Sequence, residues 1–161
     1  MSQLPILTPR VFVFYAAPPI IWGAAILLAG SDAGSADESR GWLSGLLAWI
    51  GLDQALSAQT VQVLNVTLRK TGHVLSYALL AFLLGRFNRQ LRPGLDSVAV
   101  GVAWVVAVVW AGVDEFHQSF YASRGSSAGD VMIDAAGAAL GLFLYRTWLR
   151  RQHLKTSSPS Q

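Results

Sequence analysis

Three polar residues with the capacity for chemistry are spaced at helical intervals in the middle of the chain. Lys70, His73 and Tyr77 follow one another at steps of three and four residues, which places them on one face of a helix. An imidazole at such a position could act as a general acid or base, because its charge can change near neutral pH. The alternative is structural, a histidine hydrogen-bonded to Tyr77 or to a carboxylate on a neighbouring helix. The spacing leaves both roles of His73 open.

Carboxyl groups form two further clusters, one at the end of an apolar stretch and one at the start of the next. Asp114 and Glu115 precede Gln118, and Asp130 and Asp134 are four residues apart. Carboxylates suit hard divalent cations, but basic neighbours could neutralise them equally well in an ion-pair network. The chain has no HExxH sequence and no pair of histidines at metal-ligand spacing. We therefore assign no metal ligands and leave the cofactor unknown, with a divalent cation as an open possibility.

The positions of Asp134 and of Arg124, a basic residue in the loop before it, make specific pairings predictable. Asp134 lies just inside an apolar stretch, where a carboxylate facing lipid is unfavourable. We expect it to face the bundle interior and to pair with Lys70, Arg124 or His73. Arg124 lies in the preceding loop, where its planar guanidinium suits a phosphate or carboxylate ligand. A salt bridge from Arg124 to Asp130 is the alternative.

The elements that must position these residues are predicted to be membrane helices. Of the 161 residues, 53% are hydrophobic and 13% are charged, whereas a soluble domain has roughly 25% charged residues. Apolar stretches predict an all-α, four-helix integral membrane bundle with spans at about 11–30, 66–86, 96–114 and 129–147. The shorter apolar segment 41–52 predicts an interfacial helix in the first outer loop. Pro18 and Pro19 predict a kink or local unwinding of the first span.

The distribution of charge predicts the orientation of these spans. Eight of the twelve basic residues, but only one of the nine acidic residues, lie before span 1, between spans 2 and 3, or after span 4. Because positively charged loops remain cytoplasmic, residues 1–10 and a disordered tail at 153–161 are expected inside, flanking one membrane domain at 11–152. The basic residues then face phospholipid headgroups, which argues against nucleic acid as a partner.

A pair of glycines offers a helix-packing surface. Gly137 and Gly141 are four residues apart on span 4, a spacing that lets another helix approach closely. The partner could be another helix of the same bundle or a second copy of the chain, so a homo-oligomer through Gly137 and Gly141 is possible.

Taken together, the polar positions resemble the VanZ-like family of small bacterial membrane proteins. The resemblance covers about residues 70–142 and rests on Lys70-x-x-His73-x-x-x-Tyr77, Asp114-Glu115-x-His117-Gln118-x-Phe120 and Arg124-x5-Asp130, followed by Gly137 and Gly141. Two positions depart from the family pattern. Asp134 stands where the family commonly has asparagine, and Ala122-Ser123 where it usually has Pro-Gly. The resemblance implies a multi-pass protein of the bacterial inner membrane, in a family named for an accessory determinant of resistance to the glycopeptide teicoplanin.

These observations favour a polar site on the outer side of the membrane. In the leading hypothesis Lys70 and Arg124 bind an anionic lipid or envelope-precursor headgroup, together with Tyr77, Gln118, Asp130 and Asp134. The alternative is an enzyme acting on such a headgroup, with His73 as acid or base, Asp114 or Glu115 orienting it, and Arg124 stabilising charge. A small ion- or proton-coupled transporter ranks third, because the inner halves of the spans have no chain of ionisable residues. A purely structural membrane partner is the remaining alternative.

Overall fold

The backbone is helical along almost its whole length. The computed structural model describes residues 8–94, 96–122 and 127–157, without the side chains of residues 33 and 153–157. Within these ranges there is no β-strand, which confirms the all-α prediction. The helices are α1 (Pro9–Gly30), α2 (Ala36–Trp49), α3 (Ala58–Leu91), α4 (Asp96–Gln118) and α5 (Ala128–Ser157), with a 3-10 turn at Asp32–Gly34 between α1 and α2.

Three segments are long and apolar enough to cross a membrane, namely Pro9–Gly30, Asp96–Gln118 and Ala128–Gln152. The predicted second span at 66–86 lies within α3, which has 34 residues. Charged side chains interrupt the apolar sequence of this helix. The crossing of the membrane by α3, and with it the count of four spans, stays a prediction. Helix α5 ends at Ser157, so the first part of the tail predicted to be disordered is helical.

Helix α1 contains a widened turn immediately before its two prolines. Residues Phe12–Ala16 are π-helical, and the N–H of Ala17 donates to the carbonyl of Phe12. Proline has no N–H and its ring crowds the carbonyl four residues back, so a regular α-helix cannot continue unchanged through Pro18 and Pro19. The local unwinding expected in span 1 takes this form.

Close contact between α3 and α5 forms the centre of the bundle. A Cβ atom on Gly137 would lie 2.5 Å from the Val74 carbonyl oxygen, and one on Gly141 would lie 1.9 Å from that of Ala78. Only glycine permits such an approach of two helix backbones. The glycine face is therefore occupied within the chain, and it does not offer the free surface that a homo-oligomer through these two residues would require.

Small residues also let α4 pack against α3 and α5. Hydrogen bonds from two indole groups connect α1 to α3 and α4. Ala81, Ala103, Ala107, Ala138 and Leu142 form one buried cluster shared by α3, α4 and α5. The Trp22 indole donates to the Ser76 carbonyl at 2.9 Å, and the Trp110 indole donates to that of Gly23 at 3.3 Å.

Helix α2 lies beside the first part of α3. Ser35 accepts a hydrogen bond from the N–H of Glu38 and so caps α2, while the Asn65 side chain of α3 donates to the Ala36 carbonyl at 3.1 Å. Trp42 and Trp49 are 80% and 84% exposed. This helix covers most of the segment predicted as interfacial, and its position at a membrane surface stays a prediction.

Candidate functional site

The polar face predicted on α3 contacts both α4 and α5. Lys70 Nζ lies 3.6 Å from Asp130 Oδ1, and His73 Nδ1 lies 3.1 Å from Asp134 Oδ1. One turn further along α3, the Tyr77 hydroxyl donates to Asp114 Oδ2 at 3.3 Å. The step of three and four residues along α3 thus places three side chains against acidic groups of two neighbouring helices.

His73 pairs with only one of the carboxylates that the sequence offered. Asp134, not Asp114 or Glu115, is within hydrogen-bond distance of its imidazole. Of the three partners expected for Asp134, the structure shows His73. Asp134 itself is only 1% exposed, so its carboxylate faces the bundle interior as expected.

Asp114 is the most enclosed acidic group on α4. It is 1% exposed, and its Oδ2 accepts hydrogen bonds from Tyr77 and, at 3.0 Å, from the amide of Gln118. Its Oδ1 has no hydrogen-bond partner among the residues that the structure describes, and it faces Gly30, where a Cβ atom would lie only 2.7 Å away. Burial of an unpaired carboxylate oxygen is unfavourable, so the position of Asp114 needs a reason beyond packing.

Glu115 has a different environment from its neighbour in sequence. Its Oε1 accepts a hydrogen bond from the backbone N–H of Ser127, the residue before α5 begins. This contact joins the end of α4 to the start of α5. Glu115 therefore holds the connection between two helices, whereas the hydrogen bonds of the His73 imidazole go to Asp134.

A pocket of about 220 Å³ opens beside these residues, between α1, the turn after it, α3 and α4. Its lining combines an apolar wall from α1 with polar groups from the other helices: Ile26, Ala29, Gly30, Gly34, Arg69, Gly72, His73, Ser76, Tyr77, Asp114 and Gln118. Four of the predicted site residues thus share one cavity: His73, Tyr77, Asp114 and Gln118.

Among the lining residues that the structure describes, the arginine is Arg69, which the sequence analysis did not select. Its guanidinium donates to the Gly34 carbonyl at 3.2 Å. Lys70 is 54% exposed and does not line the pocket. Arg69 and His73 are four residues apart on α3, so helical spacing alone could have indicated Arg69 as readily as Lys70.

The remaining predicted residues lie elsewhere. Asp130, Asp134 and Glu115 do not line the pocket, although Asp134 holds His73 at its edge. Arg124 lies outside the described residues. One atom from each of His73, Asp114 and Asp134 lies within 4.8 Å of the others, which makes these three the group with metal-ligand spacing in the part of the chain that the structure describes.

The helices and comparison with known families together define the class of protein. Three helices suited to crossing a membrane, with a polar cluster where α3, α4 and α5 meet, indicate an integral membrane protein. A family model described as VanZ/LLP1 matches residues 13–150, so the chain belongs to the VanZ-like family. This match includes the first span, α2 and the polar motifs. Neither the curated proteins nor the solved structures contain a match to the chain.

Proposed function

We propose that this protein binds the anionic headgroup of a membrane lipid or lipid-linked envelope precursor in the pocket beside Arg69. Four spans, with both termini in the cytoplasm of a bacterial cell, would place the pocket on the outer side of the inner membrane. There the polar ends of α3 and α4 lie at headgroup depth. The association of the VanZ-like family with the cell envelope and teicoplanin resistance favours this class of ligand.

The position of Arg69 in the pocket wall is the main observation in support of the proposal. Its guanidinium is partly buried at the pocket wall and is held by the Gly34 carbonyl, which leaves other N–H groups to donate. A planar guanidinium binds phosphate with paired hydrogen bonds, and its weaker hydration makes partial burial less unfavourable than for an ammonium. Tyr77 and Gln118 add polar groups to the same cavity.

The size of the pocket suits a headgroup and not a whole lipid. Its volume of about 220 Å³ is below the roughly 300–1,000 Å³ of pockets that enclose drug-sized ligands. The apolar part of the ligand would therefore remain outside. Helix α1 offers it a surface of exposed side chains, Ile20, Ile21 and Leu28, beside the wall that α1 contributes.

Binding of a polyprenyl phosphate to the purified protein in lipid nanodiscs tests the proposal, with the uncharged polyprenol as the matched ligand control. We expect saturable binding of the phosphate and weak binding of the alcohol. Arg69→Gln should raise the dissociation constant by about 10–100-fold, since a hydrogen bond to a charged group contributes about 1.5–3 kcal/mol.

Lys70→Gln is the control variant, because it removes a neighbouring positive charge outside the pocket. We expect it to change the dissociation constant less than about 2-fold, as is usual for an exposed charge. Equal binding by wild type and Arg69→Gln, or equal losses in the two variants, would contradict headgroup binding at this pocket.

A second candidate function is an enzyme acting on the same headgroup, and the contact between His73 and Asp134 favours it. A buried carboxylate 3.1 Å from Nδ1 fixes the orientation of an imidazole, as in general acid–base catalysis. His73 lines the pocket and could exchange a proton with a bound ligand. Conversion of the polyprenyl phosphate to a new product, abolished in His73→Gln, would support catalysis; unchanged lipid after prolonged incubation with wild type would oppose it.

A further inference from the structure

Three helices bring an unusual set of side chains together beside the pocket, two of them in its lining. His73 comes from α3, Asp114 from α4 and Asp134 from α5, and one atom of each lies within 4.8 Å of the others. Both aspartates are 1% exposed. The convergence of one imidazole and two carboxylates follows from the packing of all three helices.

When both of its carboxylates are ionised, this group is not balanced by the cations nearest to it among the residues that the structure describes. Even a protonated His73 supplies one positive charge for two buried carboxylates. Lys70 is directed to Asp130 at 3.6 Å, and the Arg69 guanidinium donates to the Gly34 carbonyl. A buried excess of negative charge at a membrane edge is unfavourable unless a cation compensates for it.

An unpartnered oxygen indicates where such a cation would bind. Asp114 Oδ1 is fully enclosed, faces Gly30 in the pocket wall, and has no hydrogen-bond partner within residues 8–94, 96–122 and 127–157. Its other oxygen accepts from Tyr77 and Gln118, an arrangement that holds a ligating carboxylate in a fixed orientation. Glycine at residue 30 keeps a Cβ atom out of the space next to this oxygen, since such an atom would lie only 2.7 Å from it.

We propose that His73, Asp114 and Asp134 form a divalent metal site for an ion that accepts imidazole and carboxylate together, such as Zn²⁺ or Mn²⁺. Three protein ligands and an open position are typical of zinc sites that bind a further ligand. Two nitrogen or oxygen ligands on one tetrahedral zinc ion lie about 3.4 Å apart, so side-chain rotations that draw the three groups closer would complete the site. The ion would face the pocket that contains Arg69, but its binding does not depend on any lipid.

Zinc binding by the purified full-length protein, without lipid, tests this inference. The protein carries no histidine tag, is stripped with a chelator, and is dialysed against Zn²⁺ alone, with bound metal counted by mass spectrometry. We expect about one ion per chain. Asp114→Asn and Asp134→Asn should raise the dissociation constant by at least about 100-fold, and Tyr77→Phe, which removes a hydrogen bond to Asp114, by about 10-fold.

Asp130→Asn is the matched control, because it removes a carboxylate one turn from Asp134 that is not part of the site. It should leave the dissociation constant within about 2-fold of wild type, because the Asp130 carboxylate pairs with Lys70 and is not one of the three proposed ligands. Tyr77→Phe keeps the ring in place and so remains informative even if the aspartate variants do not fold. Zinc should also raise the midpoint of thermal unfolding of wild type, since it binds only the folded state.

Two results would overturn the inference: far less than one Zn²⁺ or Mn²⁺ per wild-type chain, or unchanged zinc affinity in Tyr77→Phe and Asp134→Asn. Failure of zinc binding leaves polyprenyl phosphate binding through Arg69 to be decided by its own assay. Conversely, zinc can bind to a protein that does not bind the lipid.

Discussion

The contact between α3 and α5 has two parts with opposite chemistry. Its polar end consists of Lys70 and His73 of α3 with Asp130 and Asp134 of α5. Its glycine segment begins three residues after Asp134, where Gly137 and Gly141 meet the backbone of Val74 and Ala78. One part has charged groups joined through their side chains, and the other has two backbones in direct contact.

The difference indicates how a membrane bundle holds a polar site. Lipid tails are as apolar as the helix surfaces, so close packing and hydrogen bonds must supply the attraction between helices. The glycine segment supplies the packing and fixes the distance between the two helices. The polar end lies one turn away, so its side chains meet because that distance is already set. Substitutions in the two parts should therefore have unequal effects.

The largest effect is expected from Gly141→Ala in the glycine segment. A Cβ atom there would lie 1.9 Å from the Ala78 carbonyl oxygen, so the helices must separate. Overpacking of this kind destabilises by about 3 kcal/mol, which corresponds to a decrease of about 10 °C in Tm for a chain of this length. Thermal unfolding in detergent, followed by tryptophan fluorescence, measures it.

Gly112→Ala is the control for this prediction, because a Cβ atom on Gly112 would have no atom within 4 Å. This change should leave Tm within about 2 °C or raise it slightly, since alanine favours the helix over glycine. Similar Tm values for the two variants would show that α3 and α5 do not pack as closely as described.

An intermediate effect is expected from His73→Gln at the polar end, measured on metal-free protein. The substitution removes the imidazole beside the buried Asp134 carboxylate, and the loss of a hydrogen bond to a charged group costs about 1.5–3 kcal/mol. The double variant His73→Gln, Asp134→Asn should recover part of this loss, because it leaves no lone buried charge. If the loss of stability in the double variant equals the sum of the losses in His73→Gln and Asp134→Asn, a direct His73–Asp134 interaction is contradicted.

The smallest effect is expected from Lys70→Gln, at the exposed limit of the polar end. Its partner Asp130 is 3.6 Å away and the lysine side chain is 54% exposed. Exposed ion pairs contribute about 0–1 kcal/mol, so the free energy of unfolding should fall by less than about 0.5 kcal/mol, and even less at high salt. A loss as large as that of His73→Gln would mean that Lys70 supports the site more directly than its exposure indicates.

Much of this arrangement could be predicted from the sequence. The apolar stretches indicated the all-α class, and the motifs indicated the family. The step of three and four residues placed Lys70, His73 and Tyr77 on one face, which the structure shows against α4 and α5. The unfavourable free energy of a carboxylate facing lipid also predicted that Asp134 faces the bundle interior. Each of these inferences depends on one helix, or on one residue and its surroundings.

The choice between neighbouring residues could not be predicted in the same way. Arg69, not Lys70, lines the pocket, and Asp134, not Asp114 or Glu115, pairs with His73. Adjacent residues on a helix are separated by about 100° of rotation. Arg69 and Lys70 therefore both remain eligible until the rotation of α3 against its neighbours is known. The choice among the carboxylates depends on how α4 and α5 each pack against α3.

The sequence by itself determined which segments are helical, which residues share a helix face, and the family to which the chain belongs. Local hydropathy and helical periodicity are sufficient for the first two, and the family follows from the motifs and the family match. The tertiary structure alone decided that His73, Asp114 and Asp134 converge and that Arg69 faces the same pocket. The physical reason is that convergence depends on the separation and rotation of three helices. Those quantities are set by contacts such as Gly141 against Ala78, between residues far apart in the chain.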